Sequence, residues 1–375
     1  MKKNILRVCF KPLTVINKLI KKDENLIFFY SNLGFRDNVR AFYEYLIEKE
    51  YNKRFQIVVS INDFEEYQKD APDNVTFMSN NKGIPVFMRA KYAFYCFGKY
   101  PIKPSKKQTV VNLWHGMPLK KIGNMEPGLE KTDYNYFTKI VSTSEMFVPI
   151  LMKCFRCSRE QVMITGQPRN DEMFRKDKEM DDSIRKGAEK VILWLPTYRE
   201  ESRNFPAPIL DKEKAECLNK VLKDNKARLI IKIHPLQKIS GNLKNYSNIE
   251  IMNQEELSAS GRTVYSLLRA ADGLISDYSS VYFDYMLLDR PIAFSVNDME
   301  EYGRERGFVF ENPYDYMPGD ILSEYDDVKQ FVLDVIAGKD NCRDERRRVN
   351  KEINQYVDGK SSDRIAEIVF GRHGR

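Results

Sequence analysis

Between residues 26 and 296 the chain alternates short, continuously apolar runs with helical stretches, and this alternation limits the fold more than any other feature. The first series is LIFFYS (26–31), FQIVVSI (55–61), VTFMS (75–79), AFYCFG (93–98), VVNLW (110–114), KIVSTS (139–144) and VMITG (162–166). The second is VILWLP (191–196), LIIKIH (229–234), IEIM (249–252), GLIS (273–276) and PIAFSV (291–296). Strands that are apolar along their whole length are covered on both faces, and strands separated by helices are joined by crossovers. The runs therefore predict parallel sheets flanked by helices. A charge-dense segment from Asn170 to Lys190 splits the two series, and 375 residues exceed one ordinary core. The expected architecture is α/β: a basic amphipathic segment over 1–22, a first doubly wound domain over 23–175 and a second over 176–375. Such sheets bind ligands beyond the carboxyl ends of their strands, so the strand exits are where function is sought.

The chain has three histidines, and two of them stand at such exits. His115 follows VVNLW and precedes Gly116, which lets a substrate approach closely. His234 follows LIIKI and precedes Pro235. His373, in the polar tail, reads as solvated. Imidazole titrates near neutrality, so histidines placed this way are candidates for proton transfer. Three further exits carry polar groups. Gly166-Gln167-Pro168-Arg169-Asn170-Asp171 offers a guanidinium, an amide and a carboxylate. Leu195-Pro196-Thr197-Tyr198-Arg199 offers hydroxyls and a second guanidinium. Ile275-Ser276-Asp277-Tyr278-Ser279-Ser280 runs into VYFDYMLL, a predicted helix with Val281, Tyr285 and Leu288 on its apolar face. Ser279 and Ser280 would then sit at a helix start, where backbone N–H groups and the dipole favour a phosphate. Arg, Ser, Thr and His donors around one cleft are what a diphosphate needs.

Net charge of +7 suits an anionic small substrate or an anionic membrane surface. There is no zinc-finger spacing, RNP-like strand or dense basic arm, so nucleic acid is not an expected partner. The six cysteines are scattered; Cys154 and Cys157 form the only C-x-x-C and read as structural, at the end of a helix. The amino terminus is rich in Lys and Arg with no acid before Asp23 and lacks the features of a signal peptide. On a helix, Lys3, Arg7, Lys11, Lys18 and Lys22 would share one face, and Leu6, Leu13, Ile16 and Ile20 the other. That pattern suits a helix lying on a membrane. The competing reading is a helix from about Pro12 to Lys22 packed on the first domain, with Pro12 at its start. No G-x-G-x-x-G, no P-loop and no D-x-D occurs, so diphosphate charge would be met by Arg, Lys and a helix end, with no metal and no cofactor.

The motifs WHGMPLKKIG, TGQPRND, LPTYRE, KIHP and LISDYSSVYFDYMLLDRPIAF, followed by EYGRERGFVFENPYDYMPG, resemble the CDP-glycerol glycerophosphotransferase family in order and register over roughly residues 109–320. That family builds wall teichoic acids and related phosphate-linked polymers. The resemblance implies a GT-B architecture, two Rossmann-like domains facing a central cleft, with the acceptor on the first and CDP-glycerol on the second. It implies a base at His115 and a phosphate-serving role for His234. Gly116, Arg169, Asn170, Thr197, Arg199, Lys232, Pro235, Asp277, Ser279, Ser280 and Asp284 complete the expected substrate contacts. The chain departs from the family pattern at Met117, Gln167 and Lys232, which leaves the alditol (CDP-glycerol or CDP-ribitol) and the acceptor open.

The expected reaction moves glycerol phosphate from CDP-glycerol to a hydroxyl of an undecaprenyl-diphosphate-linked saccharide and releases CMP. The expected place is peripheral, at the cytoplasmic face of the cell membrane. A length close to a catalytic core points to a primase; a poly(glycerol or ribitol phosphate) polymerase is the alternative. A homo-oligomer is compatible with the sequence. Two rival readings are a GT-B glycosyltransferase using a nucleotide sugar and a membrane-peripheral binding module with structural histidines.

Overall fold

The computed structural model describes residues 2–197, 212–233 and 246–371, without the side chains of 2–9 and 212. Each of the twelve apolar runs overlaps a strand. The first sheet holds β1 (Asp23–Tyr30), β2 (Gln56–Ser60), β3 (Val75–Met78), β4 (Ala90–Tyr95), β5 (Thr109–Asn112), β6 (Lys139–Ser142) and β7 (Val162–Ile164). The second holds β8 (Lys190–Trp194), β9 (Ala227–Lys232), β10 (Ile249–Met252), β11 (Gly273–Ser276), β12 (Ile292–Phe294) and β13 (Asp320–Ile321). Their orders are β3-β2-β1-β4-β5-β6-β7 and β10-β9-β8-β11-β12-β13. Every adjacent pair is parallel.

Both orders are Rossmann-like. Each starts at a central strand, winds outward, returns and winds the other way, so a crevice opens where direction reverses. The reversal lies between β1 and β4 in the first sheet and between β8 and β11 in the second. Each sheet has its own core. In the first, Ile27, Phe29, Phe42, Phe94 and Val111 are buried with Ile365 from the far end of the chain. In the second, Ile192, Trp194, Leu229, Ile275 and Phe331 are buried together.

The two compact units are not contiguous in sequence. The first comprises Met1–Met117, Ile122–Asp171 and Gln355–Arg375; the second comprises Pro118–Lys121 and Glu172–Asn354. The last residues therefore group with the first unit, not with 176–375. The reason is the helix Ser361–Phe370. Asp171 accepts hydrogen bonds from Ser361 N (2.9 Å) and Ser362 N (2.8 Å) at its start, and Phe370 packs on Tyr51, Phe55 and Tyr92 near its end. Gly166 serves the same junction. Its φ is +79°, and a Cβ there would lie 2.5 Å from Ser361 Oγ. Pro118–Lys121 joins the second unit by backbone pairing, Lys121 N to Gly307 O (3.0 Å) and Val309 N to Leu119 O (2.9 Å).

The amino-terminal helix runs Lys2–Leu19 with Pro12 inside it, not at its start. Its carboxyl end packs on the first unit. Buried Asn17 donates to Lys103 O (3.0 Å) and Gln108 Oε1 (2.7 Å), and Thr14 Oγ1 accepts from Lys103 N (3.2 Å). Lys22 leaves the expected basic face: it is buried, and its ammonium donates to Asn17 O and Oδ1 and to Met88 O. Among the described residues no helix is long and apolar enough to cross a membrane.

Candidate active site

At the exit of β5 the chain turns sharply through Leu113-Trp114-His115-Gly116. Leu113 N donates to Tyr95 O (2.8 Å), and Trp114 N donates to Asn112 Oδ1 (3.0 Å). Trp114 takes φ +53° and Gly116 φ +125°. The second value is glycine territory. The first is unfavourable for a bulky side chain by about 1–3 kcal/mol, a strain typical of functional turns.

The turn lays the half-buried His115 ring against Phe97 (4.9 Å between centroids, 25° between planes) and Trp114 (4.0 Å). His115 Nδ1 stands 3.4 Å from Cys96 O, just past β4. A carbonyl oxygen only accepts, so this contact favours the tautomer with the proton on Nδ1 and the lone pair on Nε2. An imidazole held this way can take a proton at Nε2.

The exit of β7 meets this turn. After Gly166 the chain forms a 3-10 turn, Pro168–Phe174. Arg169 N donates to Asn38 Oδ1 (3.0 Å), and the Arg169 guanidinium pairs with Asp37 Oδ2 (2.8 Å), both side chains largely buried. Asn38 Nδ2 in turn reaches Leu113 O (3.1 Å) and Trp114 O (2.8 Å). Asn170 is buried, and its N–H donates to Gln167 O (3.0 Å). Arg169 and Asn170 are thus brought to the His115 turn, with the guanidinium braced against an internal carboxylate. Burial pushes the Asp171 carboxyl up, and hydrogen bonds from Ser362 and Ser361 oppose the shift.

In the second unit the exits of β8 and β11 converge on Asp277. Its carboxylate accepts from Thr197 N (2.7 Å), Thr197 Oγ1 and Ser279 N (3.2 Å). Ser279 and Ser280 are half-buried beside it. Ser280 precedes a helix of only five residues, Val281–Tyr285, and makes no side-chain cap. The helix is shorter than the periodicity predicted because a 3-10 turn, Met286–Leu288, takes over. Asp284 points inward and accepts from Tyr265 Oη (2.8 Å), which makes it a core carboxylate here. Tyr278, just past Asp277, stacks on Tyr302 at 4.0 Å and donates to Asp298 Oδ1 (2.8 Å). Lys232 closes β9 and is half-buried. His234, Pro235, Arg199 and His373 lie outside the described residues.

Sequence reasoning passed over Asp37 and Asn38. The signal available was Phe35-Arg36-Asp37-Asn38, polar residues beyond the exit of the central strand β1 and at the start of the helix Asp37–Glu48. Cys154 and Cys157 are packing groups at the end of the helix Phe147–Phe155. Burial pushes their thiols up to about 12 and about 11, away from the thiolate form a ligand or nucleophile needs. Among the described residues, no three His, Cys, Asp or Glu side chains are grouped to hold a metal ion.

The profile of CDP-Glycerol:Poly(glycerophosphate) glycerophosphotransferases matches residues 13–371. The chain belongs to this family. Within it, the chain is 27% identical to the teichoic acid glycerol-phosphate transferase of Staphylococcus aureus, over 99% of the chain and 98% of that protein. It is 29% identical to the teichoic acid poly(glycerol phosphate) polymerase of Bacillus spizizenii, over 94% of each. It is 30% identical to the teichoic acid poly(ribitol-phosphate) polymerase of the same organism over 72% of the chain, and there it spans only 45% of the longer protein. The solved structure of the wall teichoic acid polymerase TagF superposes with a TM-score of 0.76 at 22% identity, covering 98% of this chain and 96% of that one. That likeness shows the fold: two Rossmann-like domains of the GT-B type.

Proposed function

We propose that this family member transfers glycerol phosphate from CDP-glycerol to a hydroxyl of a polyprenyl-diphosphate-linked saccharide, releasing CMP. The observation that carries the reading is His115 at the β5 exit, with Nδ1 against Cys96 O. The acceptor oxygen loses its proton to His115 Nε2 and bonds to the β-phosphorus that carries glycerol. The bond between that phosphorus and the bridging oxygen breaks, and CMP departs with the electron pair. Positioning and charge stabilisation supply the rate.

The donor belongs to the second domain, where Thr197 and Ser279 are tied to Asp277 and Ser280 follows at the start of the next helix. The family motifs add His234, Arg199, Lys232 and Pro235 to that side. Gly116 gives the acceptor close approach on the first domain. Asp277 and Asp284 are engaged by protein groups, so we expect the diphosphate charge to be met by side chains and turnover to persist in EDTA.

The Lys2–Leu19 helix exposes Val15 (59%), Ile16 (44%) and Leu19 (82%) beside exposed Lys11, Lys18 and Lys21. That surface supports peripheral contact with an anionic membrane, where a lipid-linked acceptor would be found. End-to-end similarity extends to a transferase and to a polymerase, so length does not separate one added unit from many.

Incubation with CDP-glycerol and, separately, with UDP-sugars tests the reading. CMP from the first and no UDP from the second supports it, and the reverse replaces it with sugar transfer. The mass of the product on a lipid-linked acceptor then gives the number of units.

A further inference from the structure

We infer that Asn38 is the positioning residue for His115, acting through the backbone of the turn that carries it. This rests on the reading of His115 as the base. The Asn38 side chain is fully buried and sits at the start of the helix Asp37–Glu48. Its Nδ2 donates to Leu113 O (3.1 Å) and Trp114 O (2.8 Å) and lies 3.3 Å from Gln167 Oε1. Its Oδ1 accepts from Arg169 N (3.0 Å). The amide thereby holds two strand exits together, and the two carbonyls it grips belong to the two residues immediately before His115.

The chemistry of the position demands an amide. A carboxylate there has no proton for the two carbonyls, and leucine of the same shape serves neither side. The grip is needed because Trp114 sits at φ +53°, a conformation a tryptophan leaves when nothing holds it. Release would carry His115 off Phe97 and Cys96 O, the contacts that set its plane and tautomer. Asn38 is itself held. Its N–H donates to Asp37 Oδ1 (2.7 Å) while Asp37 Oδ2 pairs with the Arg169 guanidinium. Asp37 is a second residue with positive φ, +60°. Two left-handed, non-glycine residues joined by one buried amide make a rigid mount for the ring.

The test uses the full chain with Asn38→Ala and the gentler Asn38→Ser, which retains one donor and guards against a fold lost to the larger change. Misplacement of a reacting group by about 1 Å can cost on the order of 100-fold. We therefore expect kcat to fall about 10- to 100-fold in Asn38→Ala and less in Asn38→Ser, with the KM for CDP-glycerol unchanged. A purely structural role would lower stability and leave kcat per folded molecule intact.

The second readout is the imidazole ¹⁵N spectrum, which three histidines keep simple, with His115→Ala giving the assignment. The His115 signals should move from a fixed Nδ1–H tautomer toward the averaged values, while those of the other two stay in place. Unchanged kcat in the folded variants overturns the inference, as does a lower kcat with His115 signals unmoved. If His115→Ala itself retains turnover, the base reading fails separately. The positioning claim then stands or falls on the ¹⁵N shift alone.

Discussion

The two crevices are built on the same strand order and braced in different ways. In the first unit the bracing comes from far along the chain. Asn38 and Asp37, beyond β1, hold Leu113, Trp114 and Arg169 from the exits of β5 and β7. In the second unit one carboxylate, Asp277, ties its own turn to Thr197 at the neighbouring exit. The first arrangement fixes the direction of a single ring, as a proton acceptor requires. The second commits the Thr197 N–H and hydroxyl and the Ser279 N–H to one internal carboxylate, which fixes two neighbouring turns against each other. Polar residues at these strand exits hold other exit residues in place, from beyond a distant strand in the first unit and from the same turn in the second.

Replacing the brace sharpens this contrast most. Arg169→Ala leaves Asp37 largely buried without its partner, and breaking such a pair costs about 3–5 kcal/mol. Denaturant unfolding should show that loss. A ligand-binding arginine would instead leave stability within about 0.5 kcal/mol and raise the donor KM. Asp277→Ala is the counterpart in the second unit. It removes the acceptor of Thr197 N and Ser279 N and should cost about 1–3 kcal/mol. Affinity for CDP-glycerol should fall with it, measured by calorimetry. A destabilised variant with full affinity would mean that the two exits are braced alike, and a stable one with full affinity would mean that Asp277 braces neither.

The alternation of apolar runs made the two sheets legible, since continuous apolar strands and intervening helices admit few other folds. The strand β13, two residues with Asp320 at its start, carried no such pattern. The return of Ser361–Phe370 to the first unit was hidden because a linear reading assigns neighbours in sequence to one domain. His115 was legible because strand exit, ring and following glycine coincide. Arg169 and Asp284 were harder. A guanidinium in an exit loop has the same sequence signature whether its partner is a phosphate or its own Asp37, and a carboxylate in the helix that follows an exit has the same signature whether it accepts from a ligand or from its own Tyr265. Asn38 carried only its place beyond the exit of β1, and its role exists only once the exits of β5 and β7 lie side by side.

The effect farthest from either crevice concerns the docked end of the amino-terminal helix. Burial lowers the Lys22 ammonium from 10.5 to about 8. Below pH 8 the group is charged in both folded and unfolded chains. From about pH 8 to 10.5 the folded chain has released a proton that the unfolded chain still holds. Stability should therefore rise with pH across that window, by at most about 1.4 kcal/mol per pH unit. Lys22→Met should flatten the rise in thermal melts, and a rise that persists would place its origin elsewhere.

The central claim is that His115 performs the chemistry while the residues around its turn hold it in place. Turnover and donor affinity of His115→Ala, measured on the same folded sample with CDP-glycerol, test it most directly. Loss of a general base predicts turnover lower by about 10² to 10⁴ with CDP-glycerol affinity unchanged. A folded His115→Ala protein that releases CMP at the wild-type rate would contradict it.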